Sequence, residues 1–225
     1  MKMFRIAILP GALAVMAGSL VIGRAEYIAY QADAAPLDQQ MLEFRRGKPG
    51  SIPYAISSQV RLMNRCYAGQ TSLGARMYPE PGREALALSC LLLAQKILAA
   101  SPSMSVAHLA AAVSYSRLGD QDGFDRALIL ARQTAAFEGW LASRRMDISI
   151  GAFDQLSDAA KEGFERDVTV LLGEWSTRKV VADRFVRFPA VQDAVLQAAG
   201  QQPSQVQNKF LNEVRKRRQA QDLSQ

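Results

Sequence analysis

Several kinds of residue are scarce in this 225-residue chain, and each scarcity excludes chemistry. There is one histidine, His108, and there are two cysteines, Cys66 and Cys90. Neither spacing supplies a metal-ligand signature, so no metal and no cofactor is expected. No Gly-rich phosphate loop, nucleophile elbow or other catalytic signature occurs. No run of alternating β-branched residues bounded by turn signals is present, which argues against a sheet. The acidic residues Asp147, Asp154, Asp158, Glu162 and Glu165 are numerous, but they lie on helical stretches among basic neighbours and read as a solvated face. No catalytic residue is assigned.

A long apolar run is present once. Met1-Lys2-Met3-Phe4-Arg5 precedes an uncharged stretch from Ile6 to Gly23, closed by Arg24. As a helix, a stretch of this length just crosses a bilayer core. A cleaved leader is the competing reading, since Ala32-Asp33-Ala34 has the small-x-small form and would place cleavage before Ala35. The apolar run is long for a leader, and Arg24 and Glu26 separate it from that site. Tyr27 and Tyr30 stand where an aromatic belt meets headgroups. An uncleaved signal anchor is therefore expected in the bacterial cytoplasmic (inner) membrane. Lys2 and Arg5 put the N-terminus inside and the remaining helical domain on the periplasmic side; a cleaved, secreted form is the alternative. Ala7, Gly11, Ala14 and Gly18 form a small-residue stripe on which a partner's transmembrane helix could pack. Pro10, in the first turns, is expected to kink the helix without breaking it.

Beyond the anchor, Ala, Leu, Gln and Arg are abundant, while Gly and Pro gather at joints, which suits an all-α domain. The expected organisation is an anchor over 1–30, a linker over 31–53 and a helical domain over 54–222. Within the linker, Leu37 to Phe44 could form a short helix. Helices are expected over Tyr54–Tyr67, Arg83–Ala100, Ser105–Leu118 and Gln121–Ala136. Further helices are expected over Trp140–Phe153, from the cap Ser157 to about Trp175, over Val180–Phe188 and Ala190–Ala199, and from Pro203 onward. Gly69 to Gly82 reads as a long loop. The Arg83–Ala100 helix is apolar nearly all round, so burial between neighbours is expected. The joint Gly119-Asp120 demands antiparallel neighbours, with Leu109, Ala112, Val113 and Ser116 facing Phe124, Ala127, Leu128 and Ala131.

Cys66 and Cys90 have two readings: a disulfide in an oxidising compartment, or small buried core residues, which the apolar setting of Cys90 favours. Trp140 and Trp175 both fall in apolar stripes, so neither is expected to be free to stack on a sugar. His108 is expected to be packed.

The stretch from Arg83 to Phe137 resembles tetratricopeptide repeats (TPR). With Ser105 as first position of a unit, Tyr115, Gly119-Asp120 and Ala131 fall where such repeats favour Tyr, Gly-Asp and Ala. Pro102 and small Cys90 match when counted back. Phe124 and Ala112 depart from the pattern, and a generic helical bundle is the alternative. The register implies a partner-binding groove lined by Val106, Leu109, Val113, Ser116 and Arg117.

A longer stretch, Arg83 to Arg215, is similar to single-anchor, repeat-like helical proteins of bacterial exopolysaccharide and capsule biosynthesis. The carrying residues are Ala136-Phe137-Glu138-Gly139-Trp140-Leu141-Ala142 with Arg145, then Phe153, Leu156, a charged helix ending near Trp175, and Phe210. This resemblance implies an all-α, non-enzymatic scaffold that binds other membrane or periplasmic proteins of a polysaccharide assembly system. A periplasmic polysaccharide-binding or polysaccharide-cleaving protein is the alternative, and a general assembly factor a third reading. The net charge of +6 includes a basic patch of Lys209, Arg215, Lys216, Arg217 and Arg218. It reads as a solvated helix end, or as a contact for anionic lipid or acidic polysaccharide. Nucleic acid is not an expected partner, because no aromatic pattern interleaves the charges.

Overall fold

A computed structural model describes the backbone of residues 2–47 and 52–222, and the side chains of 11–31, 34–47 and 52–222. All regular elements among the described residues are helical. The chain divides into two compact units, Met1–Pro102 and Ser103–Gln225.

The first unit holds α1 (Lys2–Ala34), α2 (Leu37–Arg45), α3 (Ile56–Thr71), α4 (Leu73–Arg76) and α5 (Glu80–Ala100). Helix α1 continues through Pro10 without a break. The expected linker over 31–53 is corrected in part. The last turn of α1 is helical, α2 matches the short helix expected at Leu37–Phe44, and Gln40, Met41 and Phe44 are buried. The Phe44 carbonyl accepts a hydrogen bond from the Ser89 hydroxyl of α5 at 2.7 Å, so α2 belongs to the packed body. Residues 48–51 of that segment lie outside the described residues. Met41 seats against Gly69 of α3, where a Cβ would collide with the Met41 thioether.

The expected loop from Gly69 to Gly82 is also corrected. Helix α3 runs on to Thr71, the Ser72 hydroxyl caps α4 by accepting from the Ala75 N–H at 3.2 Å, and α5 already begins at Glu80. Its Pro81 stands in the first turn, where a missing N–H costs nothing, so the Pro-Glu-Pro-Gly run opens a helix. Cys66 and Cys90 are bonded to each other, stapling α3 to α5, which corrects the favoured reading of two unpaired core residues; both are buried all the same. Helix α5 is not covered all round: Leu86, Cys90, Leu93 and Ile97 are buried, while Leu88 and Leu92 are exposed.

The second unit holds α6 (Ser105–Leu118), α7 (Gln121–Gln133), α8 (Gly139–Ile150), α9 (Asp158–Gly173), α10 (Trp175–Arg187), α11 (Gln192–Gly200) and α12 (Ser204–Asp222). The α6–α7 joint is built as the sequence suggests. Gly119 takes φ +75°, a left-handed conformation that suits glycine. The Asp120 carboxylate then accepts from the Gly123 N–H at 2.8 Å, capping α7. The Tyr115 ring lies where a Gly123 Cβ would be, which fixes how closely the hairpin closes. Leu109, Ala112, Val113, Phe124, Ala127, Leu128 and Ala131 are all buried.

The core of α8–α12 is one apolar cluster. It includes Met146 from α8, Val168 and Leu172 from α9, Val181 and Phe185 from α10, Val195 from α11, and Phe210 and Val214 from α12. Phe185 and Phe210 meet edge-on at 5.7 Å, as do Phe153 and Phe164 at 5.0 Å. Ser157 caps α9 as expected. The helix ends at Gly173, however, and Trp175 begins α10, so Trp175 is not on the α9 stripe.

Candidate functional site

Three regions carry the side chains singled out above: the apolar stretch of α1, the outer faces of α6 and α12, and the end of the second unit where α8 and α10 begin.

The stretch Gly11–Gln31 is long and apolar enough to cross a membrane, and none of it is buried. Leu13, Val15, Met16, Leu20, Val21 and Ile22 are all exposed. Gly11, Ala14 and Gly18 are exposed too, and nothing approaches either glycine. The side chain of Ala7 lies outside the described residues. The far end of the same helix is held differently. The Glu26 carboxylate accepts from the Ala55 N–H at 2.6 Å and from the Ser58 hydroxyl at 2.8 Å. Ala55 stands at the start of α3 and offers no side-chain cap of its own. Glu26 therefore supplies, from another helix, the acceptor that a helix start requires. Further along α3, the Arg65 guanidinium donates to the Ala35 carbonyl and to Gln40, both at 3.0 Å.

The groove expected on α6 is corrected. Val106, Leu109 and Val113 are buried, while Ser116 and Arg117 are exposed. An open groove needs all five side chains accessible, and three serve as core instead. His108 is buried, as expected.

The basic residues of α12 do stand together. Lys209, Arg215, Lys216, Arg217 and Arg218 are all exposed on one continuous helix. Lys216 pairs with Glu213 at 3.1 Å, Arg215 donates to Asn212, and Arg218 lies 5.9 Å from the Phe185 ring.

Both tryptophans depart from expectation: Trp140 is 45% and Trp175 is 64% exposed. Phe137 is exposed as well. Each indole carries a cation on its face, with Arg144 at 4.9 Å from Trp140 and Lys179 at 3.6 Å from Trp175. Trp140 also donates its indole N–H to Glu138 at 3.0 Å. Arg184 of α10 binds Asp147 of α8 at 2.8 Å, which joins the two helices near their C-terminal ends, away from the tryptophans.

The most enclosed charge in the second unit also stands on α8. Arg145 is 1% exposed. Its guanidinium donates to both Asp167 carboxylate oxygens, at 2.8 and 2.7 Å, and to the carbonyls of Ala131 and Ala135 at the end of α7. Arg132 stands 3.9 Å from the same carboxylate. Burial pushes the Asp167 carboxyl above its ordinary range, and Arg145, with the more distant Arg132, opposes that shift. The cleft beside this pair is lined by Leu128, Arg132, Ser149, Gly163 and Phe164. The pair's donors and acceptors are turned onto one another and onto helix ends, which is the arrangement of a structural clamp. Asp167 was not singled out in the sequence, and its pairing across 22 residues leaves no local signal. Among the described residues, no group of three or more His, Cys, Asp or Glu is arranged to hold a metal ion.

The class this geometry defines is an all-helical protein with one apolar N-terminal helix. No family model, no curated protein and no solved structure matches the chain.

Proposed function

We propose that the chain is a membrane-anchored, non-enzymatic scaffold that holds partner proteins of an exopolysaccharide synthesis or export machine at the bacterial cytoplasmic membrane. The observation that carries this reading is the uncovered apolar stretch of α1. Six large apolar side chains between Leu13 and Ile22 have no protein against them, and a bilayer is the medium that would cover them. The Cys66–Cys90 bond supports placing the first unit in an oxidising compartment, which for this chain is the periplasm. The polysaccharide assignment rests on the sequence resemblance alone. Gly11 and Gly18, open on α1, are where a partner's transmembrane helix would pack. Co-purification in mild detergent tests the scaffold reading. Gly11→Leu with Gly18→Leu should lower partner recovery while leaving the protein in the membrane fraction, and unchanged recovery would remove the stripe from the proposal.

The exposed tryptophans favour a second reading. Trp140 and Trp175 offer aromatic surface beside Glu138, Arg144 and Lys179, a combination suited to stacking on sugar rings and to binding their hydroxyls or carboxylates. Under this reading the second unit binds the polymer itself. Glycan-array binding that falls on Trp175→Ala separates it from the pure scaffold.

A further inference from the structure

The first unit presents one end towards the apolar stretch of α1, and that end is apolar and aromatic. Three contacts set the geometry. Glu26 meets Ala55 and Ser58, and Ala35 meets Arg65, at sequence separations of 29, 32 and 30. A nearly constant offset along two helices means that they run parallel. Helix α3 therefore starts at the end nearer the apolar stretch and climbs away from it beside the last turns of α1. The same offset sets Tyr54 level with Arg24 and Ile56 level with Glu26, at the border where the uncharged run stops.

What stands at that level is suited to the region between hydrocarbon and water. Tyr54 is 60% and Ile56 is 67% exposed, and Tyr27 on α1 is equally open. The Tyr27 hydroxyl is already engaged, accepting from the Gln31 amide at 2.8 Å. Arg24 lies at the same height. Tyrosine rings, an isoleucine and an arginine in one band are the residues that sit at headgroup depth. An exposed Ile56 on the first turn of a helix would otherwise hold apolar surface in water for no gain.

We propose that Ile56 at the start of α3 and Tyr54 just before it seat in the headgroup layer beside Tyr27, so that the first unit stands on the bilayer as well as being tethered to it. The occupant of this surface is the lipid interface itself. Continuity argues for it: the helix that enters the bilayer also holds α3 at this height through Glu26. The proposal rests on the anchor reading above, and it adds a second, independent contact with lipid.

The test uses the full chain in vesicles of phosphatidylcholine and phosphatidylglycerol with brominated acyl chains. Trp140→Phe and Trp175→Phe remove the native tryptophan signal, and both positions are exposed, so the fold should tolerate them. Tyr54→Trp in that background should show blue-shifted emission and lose about half of its intensity to the bromines. Leu73→Trp, exposed beyond the far end of α3, should show neither effect. If the protein floats with the vesicles but tryptophan at 54 behaves like tryptophan at 73, the seating is overturned and the anchor stands. If the protein fails to float, the anchor reading and the seating both fall. Far-ultraviolet circular dichroism of each variant should match the parent. If tryptophan at 54 alters it, Ile56→Trp repeats the measurement, with the same quenching expected and its absence equally fatal.

Discussion

Arg145 and Asp167 meet through two parallel hydrogen bonds, and the same guanidinium reaches back to the carbonyls that end α7. One side chain thus ties α8, α9 and the end of α7 together. Replacing Arg145 by Met should cost about 3–5 kcal/mol, because Asp167 is left charged and buried with only the more distant Arg132 opposite it. The double replacement Arg145→Met with Asp167→Leu should recover much of that loss. Urea midpoints of the three proteins check the order.

The same variant carries a pH signature. In the parent, burial already raises the Asp167 carboxyl and Arg145 works against the rise. Without Arg145 the folded-state value climbs further above the unfolded one. A carboxyl raised in the folded state contributes stability that is present at low pH and is lost as pH rises through that raised value. The deficit of Arg145→Met should therefore shrink between neutral pH and pH about 5. A deficit that stays constant would show that Asp167 is not the group responsible.

The bond between Cys66 and Cys90 closes a loop across a separation of 24 residues. Cys66→Ala with Cys90→Ala should lower the stability of the first unit by about 3 kcal/mol. Thermal unfolding of the parent should shift in the same direction on adding a reductant and not shift for the double variant. Equal response of both proteins to reductant would argue against the pairing.

Two glycines shape the α6–α7 hairpin for different reasons. Gly119→Ala strains a left-handed backbone and should cost about 1–2 kcal/mol. Gly123→Ala drives a methyl into the Tyr115 ring and should cost about 1–3 kcal/mol. In a Tyr115→Ala background the second penalty should shrink, leaving the part set by the Asp120 carboxylate that also stands in the way, while the first should not change; chemical denaturation of the six proteins would resolve this.

Cleavage before Ala35 would remove Glu26 and leave the start of α3 without its acceptor. The protein isolated from membranes should therefore retain its first 34 residues by intact mass. A species beginning at Ala35 would sink both the anchor and the role of Glu26.

The helices that were readable in advance are those whose ends are written locally. Ser105–Leu118 could be placed from Gly119, and the start of α9 from Ser157. The segments misread as linker and loop failed for a definable reason. The short helix at Leu37–Phe44 was legible, but its packing was not, since only the docking of Met41 and Phe44 onto distant residues makes it part of a core. The groove on α6 was misplaced because the spacing of Val106, Leu109 and Val113 marks an apolar face without saying whether something covers it. Trp175 was assigned to α9 by periodicity, yet the helix breaks at Gly173-Glu174 and turns the ring outward. The roles of Glu26 and Asp167 were beyond local reading, since each acquires its role from residues more than 20 positions away.

The absence of any break in α1 between its apolar stretch and the residues that grip α3 leaves no swivel at the junction. Rotating or tilting that rod would swing α3 like a hand on a crank, and the Cys66–Cys90 staple would carry the same turn into α5. A neighbour that changes its hold on the rod would thereby re-aim α3 and α5 without touching them.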